Sequence, residues 1–382
     1  MEEKKIDYRF KILYAIGIIM VCCGHTNGGG ISLLNKWIPN GGMHLPLFVF
    51  SSGYFYKCSS EEQLTGYILR KIKTLLVPLY LYTIIYGVIV QILKQKGFEI
   101  GGEFNLYNII VAPITEGNQF HYNLGGWFIA PLFMVEVFNV LLRKTVHLFK
   151  KNIAEGFLFS VSLAFGLIGN QLACQGYNLG WLLVLVRMLF FMPFYGFGIY
   201  YKNRLEQYDK KVPSRWYFTI VLMAELIIGY HYGRMLTYTP SWCNDFTEGP
   251  IMPIIIGVLC IALWFRVATI LEPVLGRSKW INLIADNTYS IMMNQFIGFM
   301  VVKTIYALLN RANIAFYDFD WVKYKTDLWW YYVPRGFGNM LALYVISGIL
   351  FSIVTQKVID TIKENLARIN LHRCKKDFKP LK

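Results

Sequence analysis

The sequence predicts an all-α, polytopic membrane bundle of about ten transmembrane helices with both termini in the cytoplasm. Three observations lead there. First, 55% of the 382 residues are hydrophobic and only 16% are charged, with a mean hydropathy of +0.40. A soluble domain carries about 25% charge and about 45–50% apolar residues, so this much apolar surface has to face lipid. Second, apolar runs long enough to cross a bilayer recur along the whole chain. Third, Lys and Arg gather between alternate runs. The same composition excludes a disordered chain and a small disulfide scaffold.

A helix needs about 20 apolar residues to cross the hydrocarbon core. Ten segments are candidates, roughly 10–28, 43–56, 74–93, 125–142, 154–171, 180–200, 216–230, 249–271, 284–308 and 335–356. The second and seventh are short. With the N-terminus inside, 27 of the 38 Lys and Arg fall in cytoplasmic pieces, 8 in outer pieces, and Arg187, Arg266 and Lys303 within spans. This is the positive-inside pattern, and it requires an even number of spans. Residues 1–358 read as one membrane domain, and 359–382 as a basic tail. That tail suits either an anionic inner leaflet or a solvated cytoplasmic end.

The net charge of +15 would suggest nucleic acid in a soluble protein. Here topology accounts for it, and no nucleic-acid partner is expected. Seven cysteines form no CxxC pair, so no zinc or redox motif is read. Cys22, Cys23 and Cys260 lie in apolar runs as small hydrophobes. The six histidines show no ligand spacing, and no metal is expected. The first apolar run ends in a Gly-rich stretch, not a small-residue cleavage site, so no cleavable signal peptide is read. The outer cluster Trp329-Trp330-Tyr331-Tyr332 reads as an interfacial belt.

An ionisable group at the centre of a membrane helix costs at least about 2.5–3.5 kcal/mol, so those that persist are candidate functional residues. His25 closes the first span. An imidazole accepts and returns protons near neutral pH, although a histidine hydrogen-bonded between helices would look the same. His44 opens the second span as a candidate catalytic group or as a helix cap, with Pro46 in the first turn. Arg70, Lys71 and Lys73 precede the third span, as a phosphate clamp or as topology signals. Trp127 starts the fourth span and reads as a belt anchor or a substrate contact. Glu136 lies in mid-span and needs a partner or a proton. Arg187, in the sixth span, is the natural partner to expect, in a structural or a catalytic pair. Glu225 and Lys303 carry weaker forms of the same reasoning.

Four stretches carry a resemblance. The first span ends Gly24-His25. The second runs His44-Leu45-Pro46-Leu47-Phe48 to Ser52-Gly53-Tyr54. The third is led by Arg70-Lys71-Ile72-Lys73 and continues Leu75-Leu76-Val77-Pro78. The ninth reads Asn287-Thr288-Tyr289-Ser290-Ile291-Met292-Met293-Asn294-Gln295. In this order, and with Gly126-Trp127-Phe128, they resemble the integral membrane acyltransferases called acyltransferase-3, and most closely the bacterial branch that O-acetylates surface polysaccharides. The resemblance implies a multi-pass protein of the bacterial cytoplasmic membrane. It implies acetyl-CoA or another acyl-CoA as donor, reached from the cytoplasm, and a glycan hydroxyl as acceptor. His25 would be the catalytic histidine, and Arg70, Lys71 and Lys73 would meet the donor's phosphates.

Two positions depart from the family pattern. The family usually has Arg or Lys eleven residues before the histidine, where Tyr14 stands here. Tyr14 is therefore grouped with the donor-binding residues. Arg9 and Lys11 are the nearby cations, a shift of about 5–8 Å along a helix. The late segment often ends in His, where Gln295 stands, so a second-histidine role is lost or becomes that of a hydrogen-bonding group.

The expected activity is O-acyl transfer from acyl-CoA to a cell-surface or exported glycan. His25 is the base, and the oxyanion donors come from Asn27, His44, Ser52 and Arg187. Trp127 and Gln295 complete the acceptor side. Two rival readings belong to other classes. One is a secondary transporter or flippase for a lipid-linked glycan, with ten spans divided five and five. The other is a membrane scaffold, which would leave His25 and Glu136 without a purpose. An oligomer is compatible with the sequence.

Overall fold

Lipid offers the backbone no hydrogen-bond partners, so each apolar run has to form a helix. The computed structural model describes residues 6–26, 43–150, 153–335 and 340–377, and no strand occurs among them. In chain order the main helices are α1 (Tyr8–His25), α2 (Leu45–Tyr54), α3 (Leu64–Gln95), α4 (Leu124–Phe149), α5 (Glu155–Cys174), α6 (Gly180–Asp209), α7 (Ser214–Tyr232), α8 (Met252–Leu275), α9 (Lys279–Asp286), α10 (Thr288–Arg311) and α11 (Leu341–Asp377). Short helices of four to six residues sit in the connections.

Eight of these helices are long and apolar enough to cross a membrane, against the ten expected. The two that fall short are α2 and α7. With ten residues α2 rises only about 15 Å, half of a core about 30 Å thick. In α7, 19 residues long, polar ends such as Ser214-Arg215 and Tyr230-His231-Tyr232 dilute the apolar run. Both still run from one end of the bundle to the other in the alternating path. The last helix continues without a break past residue 358, so the tail is a helical extension as far as Asp377.

Outward-facing side chains mark the lipid surface. On α3 these are Val77, Leu81, Ile84, Val88 and Ile92, and on α11 Ile346, Leu350, Val354, Val358 and Ile362, each at helical spacing. By contrast α1 is buried over most of its circumference and packs against α2, α8, α9, α10 and α11. Its start is fixed by Asp7, whose side chain accepts from the Arg9 backbone N–H at 3.2 Å. Its end is Thr26, whose hydroxyl turns back to the Cys23 carbonyl at 3.1 Å. The short α2 is clamped against α6. A Cβ on Gly198 would overlap the Phe50 carbonyl, so only glycine lets the two backbones approach this closely.

The helices alternate in direction, so the connections gather at two ends. At the first, Arg9 bonds Asp7 at 2.6 Å, Glu206 at 3.0 Å and the Tyr54 hydroxyl at 3.2 Å, and Lys11 pairs with Asp286. At the second, the loops 233–251 and 312–335 fold around the end of α1, and the 96–123 loop meets 233–251 through Arg187, which bonds both.

Candidate active site

Tyr14, Ile18, Val21 and His25 are spaced four, three and four residues apart, so they form one stripe on α1. Three cavities follow that stripe. At the Arg9 end a vestibule of about 380 Å³ is lined by Asp7, Lys11, Tyr14, Phe55 and Lys57 among others. Tyr14 also lines a middle chamber of about 280 Å³, with Ser52, Leu75, Leu132 and Thr288. An outer chamber of about 220 Å³ contains His25, His44, Trp127 and Ser241. The middle and outer chambers share Val21, Leu45, Phe128 and Met292, which form the neck between them. Three cavities are thus strung along α1 from the Arg9 end to His25, and Tyr14 stands between the first and the second. Along α1, Tyr14 and His25 are about 16 Å apart.

Local sequence builds the neck. Pro78 has no N–H for the Thr74 carbonyl, and just before it α3 widens into a π-helical turn over Ile72–Leu76, which carries Leu75 into the middle chamber. Opposite, α4 opens with a tight 3₁₀ turn over Leu124–Phe128. A Cβ on Gly125 would lie 2.5 Å from Met292 Cγ, so glycine lets this turn and α10 close the neck together.

His25 is held from three sides. Its Nδ1 lies 3.1 Å from Gln295 Oε1. Gln295 spends its Nε2 on the Met292 carbonyl at 3.2 Å, which leaves Oε1 as the acceptor. This assigns the imidazole proton to Nδ1 and leaves the Nε2 lone pair for a substrate. The His25 ring packs 5.0 Å from Phe296 and 5.9 Å from Trp329, and the Tyr331 hydroxyl donates to the His25 carbonyl at 2.6 Å. Trp329 and Tyr331 therefore cover the histidine and do not form a free interfacial belt. Lys303 supports this cover, sitting 4.6 Å from the Tyr331 ring and donating to the Leu328 carbonyl at 2.8 Å.

The expected Glu136–Arg187 pair does not form. Glu136 bonds Lys71 at 2.7 Å and lies one turn beyond Leu132 of the middle chamber, away from His25. Arg187 spends its five N–H groups on backbone carbonyls. Nε donates to Ser241 at 2.9 Å, Nη1 to Thr115 and Glu116 at 3.3 Å each, and Nη2 to Glu116 at 3.3 Å and to Ser241. Its guanidinium lies 4.9 Å from the Trp127 ring. With no N–H to spare, Arg187 braces the outer chamber and is not an oxyanion donor. In sequence the two residues looked like complementary charges in the fourth and sixth spans, and nothing in it recorded that backbone carbonyls satisfy the arginine.

The remaining candidates separate by chamber. His44 stands with His25, whereas Ser52 and Tyr14 line the middle chamber, where Tyr14 stacks on Phe48 at 5.8 Å. Ser52 is thus in a different chamber from the histidine. Asn27 lies outside the described residues. Of the basic group, Arg70 and Lys73 are exposed, while Lys71 is half-buried on Glu136. Arg9 is engaged by Asp7 and Glu206 and does not line the vestibule, whereas Lys11, which also pairs with Asp286, does. Glu225 is buried on α7, which packs against α8, with both carboxyl oxygens unpartnered, and it lines none of the three cavities. Sequence reading missed Thr239, Pro240 and Ser241, loop residues without periodicity, and Met292, whose motif gave no hint that it forms the neck.

The Lys71–Glu136 pair carries a prediction. Removing one partner of a buried pair costs about 3–5 kcal/mol. Lys71→Ala is expected to lower the thermal midpoint of the purified protein, and Glu136→Gln in the same chain to restore most of it. An unchanged midpoint for Lys71→Ala would remove the pair from the account.

The acyltransferase domain model of this family matches residues 7–355. The chain belongs to the acyltransferase-3 family. The match spans all the helices that line these cavities, so the protein is an integral membrane acyltransferase. No curated protein and no solved structure matches the chain. In this acyltransferase the His25 imidazole, with its tautomer set by Gln295, lines the outer chamber.

Proposed function

We propose that the protein transfers an acetyl or other short acyl group from acyl-CoA, entering at the Arg9 end, to a glycan hydroxyl arriving at the His25 end. One observation carries this reading: a single line of cavities along α1 that begins among lysines and ends at His25. The CoA nucleotide is too polar for the apolar middle chamber. It stays at the vestibule, where Lys11 and Lys57, with Arg70 and Lys73 on the same end, meet its phosphates. The thin pantetheine arm threads past Tyr14 to bring the thioester to the neck. The greater basic charge of this end supports a cytoplasmic side for it.

In the outer chamber His25 Nε2 takes the hydroxyl proton as the oxygen attacks the thioester carbon. The negative charge that develops on the carbonyl oxygen needs a donor, and His44 and Ser241 line the same chamber. The C–S bond then breaks, the thiolate takes the proton from the imidazolium, and ester and CoA leave. Gln295 keeps Nδ1 protonated throughout, so the correct face of the ring always meets the alcohol.

The test is incubation of the purified protein with labelled acetyl-CoA and a surface glycan. Label is expected in the glycan as an alkali-labile ester. Glycan accumulation in vesicles with acetyl-CoA untouched would favour transport instead.

A further inference from the structure

Beside these cavities, at the His25 end, lies a wider cleft of about 540 Å³. Its walls come from the 96–123 loop, the start of α6 and the 233–251 loop. Sites for small ligands span about 300–1,000 Å³. The lining differs in chemistry from theirs: Glu99, Glu116, Asn108, Gln119 and His121 surround one indole, Trp242, which is 47% exposed. No Lys or Arg is among the described residues that line it.

Gln119 gives a second, independent indication. It is 7% exposed, and its Nε2 donates to the Asn108 carbonyl at 3.1 Å. Its Oε1 is buried and meets no donor. A buried acceptor left unmet is costly, and here it borders a cavity large enough to admit the missing donor. His121, on the same wall, holds a positive φ of 60°, a conformation that non-glycine residues keep where surrounding structure imposes it.

The cleft is tied to the reaction chamber. Thr115 and Glu116 belong to its wall, and Ser241 belongs to the outer chamber. Arg187 donates to the carbonyls of all three. Trp242 follows Ser241 in the chain, so the indole is one residue from the chamber that contains His25.

We infer that this cleft is the acceptor subsite and that it takes a saccharide chain without net negative charge. The inference rests on the proposal that a glycan hydroxyl is acylated, and it adds where the glycan sits and which glycans fit. The indole offers a flat apolar face to the C–H face of a pyranose. Amide and carboxylate oxygens accept from its hydroxyls. Glu99 and Glu116 face the cleft, no Lys or Arg is among its described lining residues, and Arg187 behind the wall is spent on backbone carbonyls, so uronates and phosphate-bearing sugars are repelled. A sugar seated here leaves its neighbour in the chain beside Ser241, with a hydroxyl facing His25.

The experiment uses the full chain in nanodiscs with three probes of equal length: a neutral glucan oligomer, an N-acetylhexosamine oligomer and a uronate oligomer. Binding is followed by titration calorimetry, and acetyl-CoA hydrolysis without acceptor is measured alongside. At least one uncharged oligomer is expected to bind about tenfold or more tightly than the uronate. Trp242→Ala and Gln119→Ala should each weaken that binding about tenfold, while Trp242→Phe keeps it and hydrolysis stays at the wild-type rate in all three. Equal binding of the uronate, no binding of any oligomer, or affinity unmoved in both alanine variants would overturn the inference. Oligomer binding as described with no consumption of acetyl-CoA would instead sink the transferase reading and leave the cleft standing.

Discussion

His25→Ala is expected to lower acyl transfer by about 10²–10⁴-fold, the usual contribution of a positioned general base. The protein should insert and fold, because the imidazole contributes one side-chain hydrogen bond, to Gln295, and two ring contacts. The carbonyl that Tyr331 holds belongs to the backbone and survives the substitution. Initial rates with labelled acetyl-CoA check the loss, and the binding constant for a non-hydrolysable CoA analogue should stay the same. Gln295→Ala is the informative companion. It leaves the base in place but frees the ring to flip or change tautomer. Its loss should be smaller and fall on kcat, whereas Gln295→Glu, which keeps an acceptor on Nδ1, should recover part of it. A His25→Ala protein that transfers at the wild-type rate would remove the base from this site.

The second large effect comes from the neck. Val21 lines both chambers, one turn before His25. Val21→Phe adds bulk where two cavities meet, so the extra ring can occupy existing space. Overpacking a filled core costs about 1–3 kcal/mol, and here the penalty should fall below that range. Transfer, however, needs the thioester to pass this point. The expected result is a loss of at least about 100-fold in kcat/KM for acyl-CoA with a thermal midpoint near that of the wild type, a scale set by misplacement of reacting groups. Acceptor binding at Trp242 should be untouched. If Val21→Phe keeps full donor-dependent activity, the thioester does not travel through the neck.

Much of this was legible in the sequence. The apolar runs gave the helices, because hydropathy and length are local properties and lipid leaves the backbone one solution. His25 and His44 were legible as imidazoles beside apolar runs, and Trp127 and Gln295 through the stretches that carry the resemblance; the structure gathers all four around one chamber or its wall. What failed was pairing. Arg187 and Glu136 carry opposite charges in adjacent long helices, yet one ends in a cage of carbonyls and the other on Lys71. Backbone acceptors supplied by loops leave no mark on composition. The aromatic run from Trp329 misled for a similar reason. An aromatic at a helix end has the same sequence signature whether it floats at an interface or folds back over a histidine. The cleft was invisible beforehand because its polar residues are scattered over three connections and only the fold assembles them.

The central claim is that donor and acceptor meet at His25 from opposite ends of the bundle. Proteoliposomes of known orientation test it directly, with labelled acetyl-CoA supplied to the face that carries Arg9 and an uncharged oligosaccharide confined to the other. The account predicts label on the oligosaccharide in this arrangement, none when acetyl-CoA is supplied to the opposite face, and none with His25→Ala. Transfer only when both substrates share one face would contradict it.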